Sequence, residues 1–206
     1  MRTCSIDGCN NKHYGNGLCN KHYQRYKKCG HKSRTIFDSN EFILYGDYFE
    51  IVLYNISNIE VARTKVSMLH LDLCRKYKWG LHNKGYVMTT INRRTIFLHD
   101  MLLNTKGVDH RDGDKLNNLD NNIRPCTTSQ NNANKPSSSM SGLKGAYLDK
   151  RKNKWYSSIK CGGKTKFLGY FDNKYDAALA YGRAAEEMFG EFAYCDNIDM
   201  REVNGL

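Results

Sequence analysis

Proline is almost missing from this chain, at 2 of 206 residues, acidic side chains are in the minority, and no run of apolar residues approaches the ~18 needed to cross a bilayer. The last absence excludes a helical membrane span. The opening thirty residues are polar and Cys-rich rather than signal-like, so a soluble, intracellular, cytoplasmic protein with no membrane partner is expected. In such a reducing compartment the 8 cysteines are poor disulfide candidates. The closely spaced ones near the N-terminus therefore read first as metal ligands, and the isolated Cys74, Cys126, Cys161 and Cys195 as ordinary buried thiols.

What is present is positive charge, and it is clustered. Lys and Arg number 32 against 21 Asp and Glu, a net +11. Residues 1–35 hold eight basic residues and one acidic, as do residues 143–166. Two basic patches flanking a near-neutral middle point to a polyanion gripped at two places, because phosphate neutralisation rewards clustered Lys and Arg. Scarce proline and patchy polarity favour two or three small domains over one large one.

Cys4, Cys9, Cys19 and His22 form C-x4-C-x9-C-x2-H, two close pairs joined by a polar loop, which suits tetrahedral Zn²⁺. So small a segment cannot bury enough core to fold alone, and metal binding would supply its folding energy. His13, Cys29 and His31 are spare donors nearby, with Cys29 the alternative to His22. The following run of Tyr23, Arg25, Tyr26, Lys27 and Lys28 suits a helix lying against DNA or a solvated helix face. Beyond it, Phe42–Tyr54 is apolar and aromatic, and Tyr86–Asn92 and Thr95–Leu98 read as two strands joined at Arg93-Arg94.

The informative stretch runs from His99-Asp100 through Asp109-His110-Arg111-Asp112-Gly113 and Asn122-Ile123-Arg124 to Asn131-Asn132. An Asp-His pair, an Asn thirteen residues after the Asp and another nine further on, with a D-H-x-D-G turn and an N-[LI]-R element, resemble the HNH (His-Asn-His) endonucleases. The resemblance implies a ββα-metal unit in which a hairpin carries the Asp-His pair and a helix presents the last ligand. It assigns His110 as general base, Asp109 as first metal ligand, Asn131 as the residue completing the metal site, and Asn122 as the Asn that ties the intervening loop to backbone groups. The chemistry asks for these types independently. A neutral imidazole takes a proton from water near pH 7, and Asp and Asn oxygens suit Mg²⁺ or Mn²⁺ better than zinc. Asp100 departs from the family, which usually places Arg or Lys after the upstream His; Arg111 and Arg124 are the candidates to supply that charge.

After Lys135-Pro136-Ser137-Ser138-Ser139, a linker by composition, alternating residues and a Gly162-Gly163 turn predict three strands. Asn173 with Asp176 predicts a helix start, and Ala177, Tyr181, Ala184, Ala185 and Met188 recur at helical spacing. K-G-A-Y, K-W-x-x-x-I-K, F-L-G-x-F and A-A-x-A-Y in that order resemble the ethylene-response-factor (AP-two/ERF) DNA-binding domain over residues 141–195. Period-two alternation puts Trp155, Ser157 and Ile159 against the helix and Lys154, Tyr156, Ser158 and Lys160 on the open face. The resemblance adds Tyr147, Thr165 and Phe167 as DNA contacts, and Lys144 suits a phosphate. Lys stands where that family reads guanine with Arg, so base specificity is expected to differ.

The expected fold class is α+β, in small domains: a zinc-knuckle-like basic segment (1–35), a β-rich segment (36–136) with the ββα-metal nuclease core at 85–136, a linker (137–142), a three-stranded antiparallel sheet plus helix (143–196) and a tail (197–206). The expected function is a metal-dependent endonuclease of homing type from a phage or mobile element. It would act as a monomer on double-stranded DNA, with one site and so one strand cut per docking. A non-catalytic DNA-binding regulator and an RNA-binding accessory protein are the competing readings.

Overall fold

A computed structural model describes residues 2–6, 9–29, 38–196 and 198. The chain divides into two compact units, residues 1–104 with 114–123 and residues 105–113 with 124–206. Both mix strands and helices, an α+β composition throughout. No helix among the described residues is long and apolar enough to cross a membrane.

The first unit opens with β1 (His13–Gly15), β2 (Leu18–Cys19) and α1 (Asn20–Cys29) around a small cluster of Cys4, Leu18 and Cys19. A four-stranded sheet follows, built from β3 (Phe42–Tyr45), β4 (Tyr48–Tyr54) and β5 (Glu60–Ser67), then α2 (Leu71–Arg75). Next come β6 (Gly80–Leu81), β7 (Val87–Ile91), β8 (Arg94–Phe97) and α3 (Leu98–Leu102). β4 is rich in aromatic and β-branched residues and buries Phe49, Ile51 and Leu53 with Val66, Cys74, Trp79, Val87 and Leu98 in one apolar cluster. Asn40 is buried with them. Its amide donates to Val52 O at 2.9 Å and Trp79 O at 3.0 Å and accepts from Trp79 N at 2.7 Å, so the cost of burying it is met in full.

The β7–β8 turn falls on Asn92-Arg93 rather than Arg93-Arg94. Both central residues of a tight hairpin need positive φ, and Asn accepts that best; φ is 50° at Asn92 and 64° at Arg93, which leaves Arg94 to the strand.

The second unit holds β9 (Val108–His110), whereas β10 (Asn117–Asn118) runs parallel to β5 in the first unit's sheet. β11 (Ile123–Pro125) pairs with β9, and α4 (Thr128–Asn134) follows. The unit is completed by the antiparallel sheet β12 (Ala146–Asp149), β13 (Lys154–Cys161), β14 (Lys164–Phe171), by α5 (Lys174–Phe189), and by a 3-10 turn at Gly190–Phe192.

The α5 start is set by Asn173, whose Oδ1 accepts from Asp176 N at 2.8 Å. Ala177 and Ala178 pack on Ala146, and Ala184, Ala185 and Phe189 on Ile159, so small side chains bring the helix close to the sheet. Gly145 is fixed twice over. Its φ is +75°, and a Cβ there would stand 2.2 Å from the Tyr181 ring. The stretch 137–142, expected as a linker, is tied down by its serines: Ser139 Oγ donates to Leu143 O at 3.0 Å and Ser141 Oγ to Ala146 O at 2.8 Å. Ala133 of α4 lies in the same apolar cluster as Ile159 and Ala185, so residues before and after that stretch share one core.

Candidate functional site

The N-terminal cluster comes from a tight hairpin and the first turn of a helix. β1 and β2 bring Cys19 beside Cys4 and Cys9, and α1 presents His22 one turn after Cys19. The four ligand atoms lie within 4.8 Å of one another. Cys9 Sγ and Cys19 Sγ are 3.9 Å apart, and His22 Nδ1 is 3.2 Å from Cys4 Sγ and 3.4 Å from Cys19 Sγ.

A tetrahedral ion with Zn–S near 2.3 Å and Zn–N near 2.0 Å has edges of about 3.8 Å between sulfurs and about 3.5 Å between sulfur and nitrogen. The donor set fits, and could hold a metal ion. His22 Nε2 is 2.7 Å from Asp38 Oδ1, and both side chains are 5% exposed. Donating Nε2–H to that carboxylate leaves the Nδ1 lone pair facing the sulfurs. Burial pushes the Cys4 thiol up, but hydrogen bonds from His22 and the backbone at Ile6 and Cys19 outweigh it and hold its pKa at about 6. His13 is taken up elsewhere, accepting from Gly17 N at 3.1 Å. His31 and the side chains of Arg25, Lys28 and Cys29 lie outside the described residues.

In the second unit β9 carries Asp109 and His110, both buried, at 4% and 5% exposure. Arg124, on the paired strand β11, grips Asp109 Oδ2 through Nε at 3.0 Å and Nη2 at 2.9 Å. α4 supplies Asn134, whose amide donates to Asp109 Oδ1 at 3.1 Å and to the His110 carbonyl at 2.8 Å. The His110 carbonyl also accepts from Gly113 N at 2.9 Å, so the Asp-Gly turn closes on the strand that bears the pair.

Strand β11 and helix α4 flank the Asp-His pair, and the helix residue touching Asp109 is Asn134, one turn beyond Asn131. Asn131 is half-buried and lines a cavity of about 480 Å³ with Gly107, Cys126 and Lys135. α4 is seven residues long and is started by a capping box: Thr127 Oγ1 accepts from Gln130 N at 3.2 Å while Gln130 Oε1 accepts from Thr127 N at 2.8 Å.

Arg111 and Arg124 are both committed to carboxylates. Arg111 Nη1 meets Glu191 at 2.5 Å, and Arg124 is spent on Asp109. In the first unit, Asn122 Nδ2 donates to Asn117 O at 2.7 Å, which closes the loop between them. Asn118, fully buried, donates to Thr64 Oγ1 at 2.9 Å and to Lys115 O at 3.3 Å. His99 is buried against the Phe97 and Tyr86 rings, at 5.5 and 5.2 Å.

On the sheet, cross-strand register brings the expected contact residues to one face. Tyr147 opposes Tyr156, which opposes Tyr170, and Lys160 opposes Thr165. A bulge pairs Ser157 with Gly169 but Ser158 with Phe167, which turns Leu168 toward the core and leaves Phe167 open at 55% exposure. Ring centroids run 5.4 Å from Tyr147 to Tyr156 and 6.4 Å on to Tyr170, with Phe167 5.2 Å from Tyr170. Lys154 is exposed and pairs with Asp172 at 3.1 Å.

Lys144 departs from expectation. Its ammonium donates to the carbonyls of Ala133, Lys135 and Asn132 at the end of α4, and burial pulls its pKa down to about 8. It caps a helix rather than offering itself to a phosphate. Cys161 and Cys195, expected as buried thiols, are exposed; Cys74 is buried.

No family profile and no solved structure matches the chain. An uncharacterized HNH endonuclease of Acanthamoeba polyphaga mimivirus is 33% identical to it over 142 residues, 65% of this chain and 74% of the relative. The chain belongs to the HNH endonuclease family. In this HNH endonuclease, residue types and spacing left Asn134, Asp38, Glu191 and Phe192 unmarked. Asn134 alone had a signal, its i+3 position after Asn131 on the helix face that buries Ala133.

Proposed function

We propose that this chain is a metal-dependent DNA endonuclease of homing type, hydrolysing one strand of duplex DNA at a single centre made by Asp109, His110 and Asn131. The observation that carries the reading is the buried Asp-His pair, with the Asp109 carboxylate held on one oxygen by Arg124 and on the other by Asn134.

Three hydrogen bonds leave a lone-pair direction of that carboxylate unused, an oxygen donor of the kind Mg²⁺ or Mn²⁺ takes along with water and phosphate. Asn131, which lines a cavity with Gly107 and Cys126, is the residue that the family resemblance assigns to complete the set. When bound, the ion would neutralise charge developing on the departing 3′ oxygen. His110 takes the proton from the attacking water, whose oxygen bonds to phosphorus as the bond to the 3′ oxygen breaks, and the departing oxygen takes a proton from solvent water, leaving 5′-phosphate and 3′-hydroxyl ends. Asn134 and Gly113 fix the His110 backbone while this happens.

Duplex binding falls to the open sheet face. Tyr147, Ser158, Lys160 and Thr165 share a cleft of about 490 Å³ with Thr128, Ser129 and Asn132 of α4, which offers a strand a route between the sheet and the catalytic helix. The Cys4, Cys9, Cys19, His22 cluster holds structural Zn²⁺.

Purified protein is incubated with supercoiled plasmid in Mg²⁺, Mn²⁺ or EDTA. Nicking that needs the metal and falls about 10²–10⁴-fold in His110→Ala, with DNA binding retained, supports the reading. Binding without cleavage in every metal returns the chain to the regulator class.

A further inference from the structure

Arg124 does not stop at Asp109. Its Nη1 donates to the Glu191 carbonyl at 2.9 Å and lies 3.3 Å from Glu191 Oε2, and its guanidinium carbon stands 3.6 Å above the centre of the Phe192 ring. Nε and Nη2 point to Asp109 and Nη1 to Glu191, with the Phe192 ring on one face, and the side chain is 6% exposed. Glu191 and Phe192 belong to the 3-10 turn after α5, at the far end of the sheet-plus-helix module. That turn is itself anchored. Phe192 lies in the cluster with Ala133 and Ala185, and Tyr194 N donates to Ala133 O at 3.0 Å.

We infer that the Gly190–Phe192 turn is a positioning element of the nuclease centre, setting through Arg124 the direction in which Asp109 presents its carboxylate. This rests on the reading of Asp109 and His110 as the catalytic pair. A carboxylate held on both oxygens cannot turn about its terminal torsion, and the planar fork that holds Oδ2 can itself turn unless both its face and its third nitrogen are engaged. Phe192 engages the face and Glu191 the nitrogen. The module that follows the nuclease motif in sequence therefore supplies part of the support for the metal-ligand Asp.

The test uses the full-length, zinc-loaded chain with Phe192→Leu, which keeps an apolar side chain but removes the ring, and Glu191→Gln, which keeps an acceptor but removes the charge. Arg124→Lys and His110→Ala accompany them. Three quantities are read: Mn²⁺ binding to the DNA-free protein by electron paramagnetic resonance, the single-turnover nicking rate at saturating Mn²⁺, and DNA affinity in EDTA. Expected are cooperative melting and unchanged DNA affinity in the first two variants, with Mn²⁺ affinity and nicking rate each down about tenfold in Phe192→Leu, as for residues that orient a metal ligand from outside, and down less in Glu191→Gln, whose main-chain carbonyl still accepts from Arg124. Arg124→Lys should lose more, because an ammonium cannot fork.

If Mn²⁺ affinity and nicking rate stay at wild-type values in Phe192→Leu and Glu191→Gln while His110→Ala is dead, the positioning role is wrong and the catalytic assignment stands. A lowered melting temperature with an unchanged rate per folded molecule overturns it equally. If His110→Ala nicks at the wild-type rate, the catalytic assignment falls and takes this inference with it.

Discussion

Replacing Asp38 by Ala tests the zinc site proposed for the N-terminal cluster. The carboxylate accepts from His22 Nε2 at 2.7 Å with both groups 5% exposed, so water neither replaces the contact nor screens it. Deleting it leaves a buried N–H unpaired, at about 1–3 kcal/mol, and frees the imidazole to turn Nδ1 away from Cys4 and Cys19. Partners of metal-ligating histidines are typically worth 10–100-fold in affinity, about 1.4–2.8 kcal/mol, which agrees with the hydrogen-bond figure. Asp38→Asn keeps an acceptor oxygen and loses the charge, so it should fall between wild type and Asp38→Ala. Competition for Zn²⁺ against a chromogenic chelator at neutral pH gives the three affinities directly. Cys29→Ala, as the control, should bind like wild type. Equal affinity in wild type and Asp38→Ala would refute the carboxylate–His–metal arrangement, and a large loss in Cys29→Ala would mean the ligand set is misassigned.

Thiol titration of the metal-loaded protein at pH 8 should label the exposed Cys161 and Cys195 and spare Cys74, whose pKa burial pushes up to about 12; added chelator should then release Cys4, Cys9 and Cys19. Cys74 reacting before unfolding would contradict its burial. Changing Lys154, Tyr156 and Lys160 together to Ala should weaken duplex binding and flatten the slope of log K against log salt by about 1–2, since two lysines are lost and one already pairs with Asp172. An unchanged slope would mean that DNA lies on another face. Gly145→Ala should lower the denaturation midpoint steeply, because it adds a methyl group 2.2 Å from the Tyr181 ring at a φ of +75°; a midpoint within error of wild type would show that the turn can relax.

What the sequence made legible were features written in short, local patterns. The C-x4-C-x9-C-x2-H spacing led to four donors that do converge, because a two-strand hairpin and one helical turn are enough to gather them. Alternation in Lys154–Lys160 gave the correct faces of β13 because the bulge falls across from it, in β14. Illegible were the contacts that depend on register over long separations. Nothing in Asp109 or Arg124 announces Glu191 and Phe192, and Lys144 reads as a phosphate ligand until the end of α4 is placed beside it. Asn131 and Asn134 are the same residue type on one helix, and only the helix's orientation against β9 separates a side chain that meets Asp109 from one that lines a cavity. The four-stranded sheet before residue 85 was visible only as apolar β-rich sequence, since β10, which completes its edge, comes from the Asn-rich loop fifty residues further on.

The C-terminal module's structural role follows from the weakness of α4. A helix of seven residues is far below the ~12–15 at which isolated helices become even marginal, so α4 must be held by its surroundings. Its own sequence provides one support, the Thr127–Gln130 capping box. The others come from beyond residue 142. Lys144 closes the C-terminal carbonyls, Tyr194 N takes the Ala133 carbonyl, and Ile159, Ala185 and Phe192 bury the Ala133 side chain. Asn134 contacts Asp109 from the last turn of that helix, where fraying would otherwise be greatest. The inner face of the sheet, α5 and its final turn are thus occupied in holding α4 in place.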